Sequence, residues 1–455
     1  MLIAHLNRQR REREAAGLWR QRRIAETACG PRQRVTDGRG VSADRLGFGS
    51  NDYLGLAAHP ALVEAVAEGA RRWGVGSGAS HLVCGHGRAH ATLEALLAEL
   101  YALFVPDARA LLFCSGFAAN LALLTTLGDG EATIFADRLN HASLIDGGLL
   151  AAARMQRYPH GRLDILAGRL TTCRTPLRLI VTDAVFSMDG DIAALPALLA
   201  LAEAHDAWLV VDDAHGFGVL GERGLGALEH FGLRSERLIY MGTLGKAAGV
   251  GGAFVAAHGA IIDALVQAGR SYVYTTALSP ALAHALLASV NLIVGEEGAA
   301  RRRLLAARVA RLRAGLLPVL AREAPPAWRL TPSPTAIQPL IVGDNHSALV
   351  LAAALDEAGL WVPAIRPPTV PAGTARLRIS VSAAHEAADI DRLCEALTGC
   401  VRPVSARSAN PTEAHAGEGQ GVEACEVAVR RDAVQRVTPA TPVADPLASP
   451  HGGAR

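Results

Sequence analysis

Apolar residues recur along this chain with two alternating spacings. Short apolar runs at about 108–114, 132–136, 178–183, 207–212, 237–242 and 252–257 predict strands. Between them lie stretches in which apolar residues return every three or four positions, which predicts helices, among them 89–103 and one beginning near Phe117. Strands and helices alternating on this scale imply a mostly parallel α/β sheet with both faces covered. Upstream, residues 2–24 mix apolar and arginine positions at helical spacing and predict an amphipathic first helix with a solvated basic face. A Gly- and Arg-rich connector and the Gly-broken run Leu46-Gly-Phe-Gly-Ser-Asn51-Asp-Tyr-Leu-Gly-Leu56 lead into a helix at about 59–73. The segment 74–87 concentrates Gly and Ser, which fits either a flexible surface loop or backbone running close to a ligand or a partner subunit.

Near residue 285 the pattern becomes purely helical, including the arginine-rich 300–320. Pro325, Pro326, Pro332 and Pro334 then mark a break before a smaller α+β unit, with strands near 336–342, 360–365 and 375–381 and helices near 346–358 and 386–398. From about Cys400 periodicity is lost, and 401–455 reads as a disordered tail. The expected organisation is an N-terminal helix and segment (1–50), a large domain (51–290), a small C-terminal domain (291–400) and the tail.

The chain's 455 residues, half of them hydrophobic, provide for two or three domains with a large core. A formal net charge of +2 gives no support for a nucleic-acid binder, whose footprint is a concentrated basic surface. No apolar run reaches the roughly 18 residues of a membrane span. Residues 1–23 carry Glu12 and Glu14 and lack the apolar core of a secretory signal. The seven cysteines are scattered and lack metal-ligand spacing, so free thiols in a reducing cytoplasm, and no metal, are expected.

One residue type changes the picture. Among 45 Lys plus Arg residues only Lys246 is a lysine. Arginine supplies positive charge equally well but stays protonated, whereas a primary amine forms Schiff bases with carbonyl groups, pyridoxal phosphate (PLP) included. Lys246 follows a predicted strand, with Thr243 three residues before it. Other polar groups also follow strands: Ser115-Gly116-Phe117 at a helix start, where free N–H groups suit a phosphate; Asp137-Arg-Leu-Asn140-His141; Ser187-Met-Asp189-Gly190; and Asp212-Asp213-Ala-His215. In open α/β sheets ligands gather beyond the carboxyl ends of the strands, so these segments converge on one edge. They offer what PLP chemistry needs: an amine for the aldehyde, a carboxylate for the pyridine nitrogen, and donors for the phosphate and phenolic oxygen.

The runs Asn51-Asp-Tyr-Leu-Gly-Leu, Ser115-Gly-Phe-Ala-Ala-Asn, Asp137-Arg-Leu-Asn-His-Ala-Ser-Leu, Phe186-Ser-Met-Asp-Gly-Asp, Val211-Asp-Asp-Ala-His-Gly and Thr243-Leu-Gly-Lys resemble, in order, the α-oxoamine synthases. The resemblance covers about residues 1–400. It implies a fold type I PLP-dependent transferase, with a mostly parallel seven-stranded sheet in the large domain, a smaller α+β C-terminal domain, and active sites shared in a homodimer. Such enzymes condense an amino acid with an acyl thioester and release carbon dioxide. The run Ala364-Ile-Arg-Pro-Pro-Thr369-Val-Pro-Ala-Gly-Thr-Ala-Arg-Leu-Arg378 resembles the branch that joins L-alanine to a pimeloyl thioester on acyl-carrier protein or coenzyme A. A sibling using glycine or serine is the alternative, and a non-catalytic partner or a PLP-binding transcription regulator is disfavoured.

The resemblance assigns Lys246 to the Schiff base and to proton transfer at Cα, Asp212 to the pyridine nitrogen, and His141 to the ring face. His215 and Ser187 would meet the phenolic oxygen. Gly116, Phe117 and Thr243 would hold the phosphate, with Thr275 or Thr276 of a second subunit. Arg378 would bind the alanine carboxylate, and Arg20, beside Arg22 and Arg23, and Thr369 would line the substrate site. His81 and His86 depart from the family's pattern in the 74–87 segment, which leaves the acyl-binding contacts open.

Overall fold

A computed structural model describes residues 1–408 apart from 324, 326 and 327. Most of the tail predicted over 401–455 therefore lies outside the described residues. The last helix, Ala387–Ser408, continues past the boundary expected near Cys400.

The central sheet has seven strands, in the spatial order Ala108–Phe113, Ala253–His258, Leu238–Thr243, Trp208–Asp212, Leu177–Asp183, Ala132–Asp137 and Arg154–Tyr158. All but one run parallel. Ala253–His258 is antiparallel to both neighbours. The reason is the length of its connection: residues 244–252 are too few for the dozen or so a parallel crossover needs, so the chain turns straight back. That short return carries Lys246. Every residue of Ala132–Asp137 is buried, as a strand covered on both faces requires. The helix Arg88–Tyr101 packs on the sheet through an aromatic cluster in which Tyr101 lies 4.5 Å from Tyr240 and edge-on to Phe254 at 5.3 Å.

Two further four-stranded sheets flank it. One is antiparallel throughout: Arg329–Leu330, Ile337–Gly343, Ala375–Ser380 and Ala364–Ile365. The other joins Ile24–Ala25, Arg32–Thr36, Ser42–Gly47 and Leu360–Trp361. The strand expected over 360–365 is thus divided between two sheets.

Three local expectations need correction. The first helix spans Leu2–Ala15 rather than 2–24, ending before Gly17, whose φ of +65° leaves the helical region. It buries none of its own residues in this chain. The supposed connector contains the hairpin strands Arg32–Thr36 and Ser42–Gly47, whose polar side chains hid the strand period. Arg154–Tyr158, an edge strand with two arginines and a glutamine, was hidden for the same reason. Among the described residues no helix is long and apolar enough to cross a membrane.

Candidate active site

Parallel strands of one sheet end on one edge, and this edge gathers the predicted polar groups. Lys246 Nζ lies 2.8 Å from His215 Nε2, and His215 Nδ1 lies 2.7 Å from the Tyr53 hydroxyl, which donates to Asn51 Oδ1 at 3.0 Å. Burial, then the charges of Lys246 and Arg378, hold His215 well below the usual imidazole range. The ring is therefore neutral, accepts from Lys246, and donates toward Tyr53. Burial likewise pushes the Lys246 ammonium down to about 8, although Asp212 and Asp183 pull the other way.

Asp212 ends its strand with its carboxylate nearly fully buried. It accepts from Asn120 Nδ2 at 2.7 Å and from the Ala214 amide at 3.0 Å. The same Asn120 amide donates to Ser143 Oγ at 2.8 Å, and that hydroxyl lies 2.7 Å from His141 Nδ1. His141 caps the helix Ala142–Leu150, its Nδ1 accepting from the Ser143 amide at 3.3 Å, so its ring is fixed through Nδ1 while the residue stays exposed. Asp212, Asn120, Ser143 and His141 form one continuous network.

Arg378 lies on Ala375–Ser380 and is buried. Its Nε donates to the Ser187 carbonyl at 2.6 Å, and its Nη1 donates to Asn51 Oδ1 at 3.2 Å and Ser380 Oγ at 2.8 Å. Nη2 makes only a 3.4 Å approach to the Tyr53 hydroxyl, which leaves that arm of the guanidinium for a ligand carboxylate. It also joins Arg378 to the Lys246–His215–Tyr53 relay.

Gly116 opens the helix Gly116–Leu127, capped by Ser115 Oγ, which accepts from the Ala118 amide. A Cβ at residue 116 would stand 2.6 Å from Thr243 Cγ2. The helix start and Thr243 therefore enclose a cradle that exists only because residue 116 is glycine. Phe117 beside it is 42% exposed, and Thr243 Oγ1 donates to the Ala214 carbonyl at 3.1 Å. These groups fit PLP: backbone N–H donors for the phosphate, a carboxylate for the pyridine nitrogen, and a depressed-pKa amine.

Not every predicted residue joins this cluster. Arg20 Nη2 donates to Thr369 Oγ1 at 3.1 Å, so the two residues expected in the substrate site meet each other, but on the surface and outside the Lys246 network. Thr275 and Thr276 are exposed; the Thr276 carbonyl accepts from Cys114 Sγ at 3.1 Å, which places this segment next to the Ser115 turn. Sequence reasoning missed Asp183. It ends the strand beside Asp212, paired with it in register, and its Oδ2 accepts the His141 amide at 2.7 Å. Burial, then the neighbouring Asp212 charge, raises its pKa well above the usual carboxylate range. Its signal was in the sequence: an acid closing a predicted strand at the same topological edge. Tyr53 was likewise quoted only as part of a motif.

The sequence profile of the family described as aminotransferase class I and II matches residues 43–397. The chain is 65% identical to the 8-amino-7-oxononanoate synthase of Leptothrix cholodnii over 408 residues, 89% of this chain and 100% of that one. It is 66% identical to 8-amino-7-oxononanoate synthase 2 of a Polaromonas species over 88% of this chain and 99% of the relative. The chain belongs to the aminotransferase class I and II family, in its 8-amino-7-oxononanoate synthase branch. Among solved structures, a lysine-to-alanine variant of the serine palmitoyltransferase of S. paucimobilis, with a PLP–myriocin aldimine bound, superposes with a TM-score of 0.79 at 28% identity, covering 88% of this chain and 98% of that one. The 8-amino-7-oxononanoate synthase of Francisella tularensis gives 0.65 at 30%, covering 78% and 98%. As a member of this branch the chain is a PLP-dependent acyltransferase with the fold type I architecture.

Two outcomes are expected from this geometry. Gly116→Ala forces its methyl against Thr243 Cγ2 and weakens PLP binding by about tenfold, or roughly 1–2 kcal/mol, while Thr243→Ser in the same chain removes that methyl and restores most of the loss. Fluorescence titration of the cofactor-free protein with PLP measures it. The second concerns pH. Burial disfavours the charged amine, so the reactive neutral form grows as pH rises and reaches half at the pKa of about 8. PLP capture followed by stopped-flow absorbance accelerates about tenfold per pH unit below that value and levels off above it. A flat profile from pH 6 to 9 contradicts this reading.

Proposed function

We propose that the Lys246 site performs the decarboxylative condensation of L-alanine with a pimeloyl thioester, carried on acyl-carrier protein or coenzyme A, to give 8-amino-7-oxononanoate for biotin synthesis. The observation that carries the reading is the chain's single lysine, placed in a buried network with His215, Tyr53 and Arg378 and beside two carboxylates. PLP, when bound, supplies an aldehyde for the amine and a ring that takes up the electron pair left at the alanine Cα.

The chain's own residues do the rest. The Lys246 amine would hold the cofactor's aldehyde and, in its neutral form, would move the proton at the alanine Cα. His215 sets the direction of its hydrogen bond and, with Ser187, faces the phenolic oxygen. Asp212, fixed by Asn120 and the Ala214 amide, keeps the proton on the pyridine nitrogen. His141 covers one face of the ring. Gly116, Phe117 and Thr243 hold the phosphate, with Thr275 or Thr276 of a second copy of the chain completing the pocket. Arg378 binds the alanine carboxylate, which turns the Cα–H bond toward Lys246. Arg20 and Thr369, which bond to each other, line the substrate site.

A condensation assay tests the reading. Alanine, glycine and serine are each offered with pimeloyl-CoA and with pimeloyl-acyl-carrier protein, and the product is identified by mass. Alanine is expected to turn over fastest; preferred use of glycine or serine overturns the assignment.

A further inference from the structure

His160 stands outside the Lys246 network, yet its imidazole is held on both sides. Nδ1 lies 3.1 Å from Asp137 Oδ2 and Nε2 lies 2.9 Å from Asp191 Oδ2. Two carboxylates on opposite nitrogens require both to carry protons, so the ring is an imidazolium. Bonds to Asp137 and then Asp191 push its pKa up to about 10, which keeps it charged throughout the neutral range. The Phe186 ring packs edge-on against it at 4.4 Å.

The two carboxylates belong to different parts of the fold. Asp137 ends a strand of the central sheet. Asp191 closes a turn in which the Gly190 amide donates to the Phe186 carbonyl and the Phe186 amide donates to the Asp191 carbonyl. Asp191 Oδ1 is buried without a hydrogen-bond partner among the described residues, so Oδ2 and His160 carry the side chain's attachment. From the crest of this turn the Ser187 carbonyl accepts Arg378 Nε at 2.6 Å, and Met188 and Asp189 accept Arg376 Nη1 at 2.9 and 2.7 Å. On the far side Thr331 and Ser333 donate to the carbonyls of Asp189 and Gly190. Those hydroxyls tie the turn to the neighbouring antiparallel sheet. His160 ties it to the sheet that carries Asp212.

We propose that His160 is a positioning residue for amino-acid binding: by bridging Asp137 and Asp191 it sets the Phe186–Asp191 turn, whose Ser187 carbonyl aims the Arg378 guanidinium. This rests on the reading of Arg378 as the group that receives the alanine carboxylate. Without the bridge the turn keeps its backbone bonds through Ala184 and Ala193 but loses its side-chain anchor to the central sheet, and the alignment of Arg378 with the edge where Lys246 and Asp212 stand is loosened. A misplacement of about 1 Å is enough to loosen so directed a contact.

The test uses the PLP-loaded enzyme and four variants: H160Q, D191N, the double variant and R378K. Alanine affinity is read from the change in visible absorbance on titration, alongside KM for alanine, KM for the thioester, kcat and melting temperature. H160Q is expected to weaken alanine binding about tenfold, with kcat at saturation and the thioester KM within threefold of wild type. D191N reproduces the effect, and the double variant adds little to either, because one bridge is lost in each. Should H160Q not fold, D191N alone carries the comparison. Unchanged alanine affinity in R378K overturns the carboxylate reading of Arg378. Weakened binding in R378K with normal binding in H160Q or D191N overturns the positioning role of His160 and leaves that reading intact. Additive losses in the double variant, or a parallel loss in the thioester KM, also overturn it.

Discussion

Lys246→Arg abolishes turnover, by roughly 10⁴-fold or more, although the substitution conserves charge. The amine in this position works because burial brings its pKa down to about 8, so that a useful fraction is neutral near physiological pH. A guanidinium stays protonated in any protein environment and cannot bond covalently to an aldehyde carbon. It would keep the attraction to Asp212 and Asp183 while losing the chemistry. Since there is no second lysine in the chain, nothing else can take over. Borohydride reduction of the PLP-loaded wild type, followed by peptide mapping, leaves one pyridoxyl group, on the Lys246 peptide, and none in the variant. Turnover within tenfold of wild type, or label on another peptide, sinks the assignment.

Asp212→Asn is the second large effect, with turnover falling by roughly 10²- to 10³-fold. Two causes act together. An amide does not hold a positive pyridine nitrogen as a carboxylate does, so the ring is a poorer acceptor for the electron pair at Cα. The two donors already aimed at this side chain, Asn120 Nδ2 and the Ala214 amide, also meet an amide NH₂ on one side, which leaves a buried donor unsatisfied at a cost of about 1–3 kcal/mol. Exchange of the alanine Cα proton with deuterated solvent, measured without thioester, isolates the first step and is expected to slow with turnover. Exchange at the wild-type rate in a variant that retains PLP would remove Asp212 from the pyridine nitrogen.

Most of the central sheet was legible because fully buried strands read as continuous apolar runs between helical stretches. The edge strand Arg154–Tyr158 and the hairpin at 32–47 were not, since partly exposed strands carry polar residues that erase the pattern. Lys246, Asp212, His141, His215 and Gly116 were legible because each follows a strand end in a short motif. Asp183 closed a predicted strand and Tyr53 lay within the Asn51 run, but their parts depend on contacts between segments far apart in the chain. Tyr53 reaches His215 across 162 positions, and Arg378 reaches Asn51 across 327.

The amino-acid order set the chemistry on offer: one side-chain amine, a set of acids and imidazoles at strand ends, and a glycine at the start of the helix Gly116–Leu127. It also determined the reversed strand, because nine residues at 244–252 cannot make a parallel crossover. The tertiary structure alone decided which of those groups meet and in what protonation state. Registering Asp183 beside Asp212, hydrogen-bonding Tyr53 to His215 and clamping His160 between two aspartates are long-range events; the burial they bring lowers the His215 pKa and raises that of Asp183, and the two carboxylates raise that of His160. A pattern along the chain reports period and residue type; desolvation and charge proximity arise only when distant segments pack.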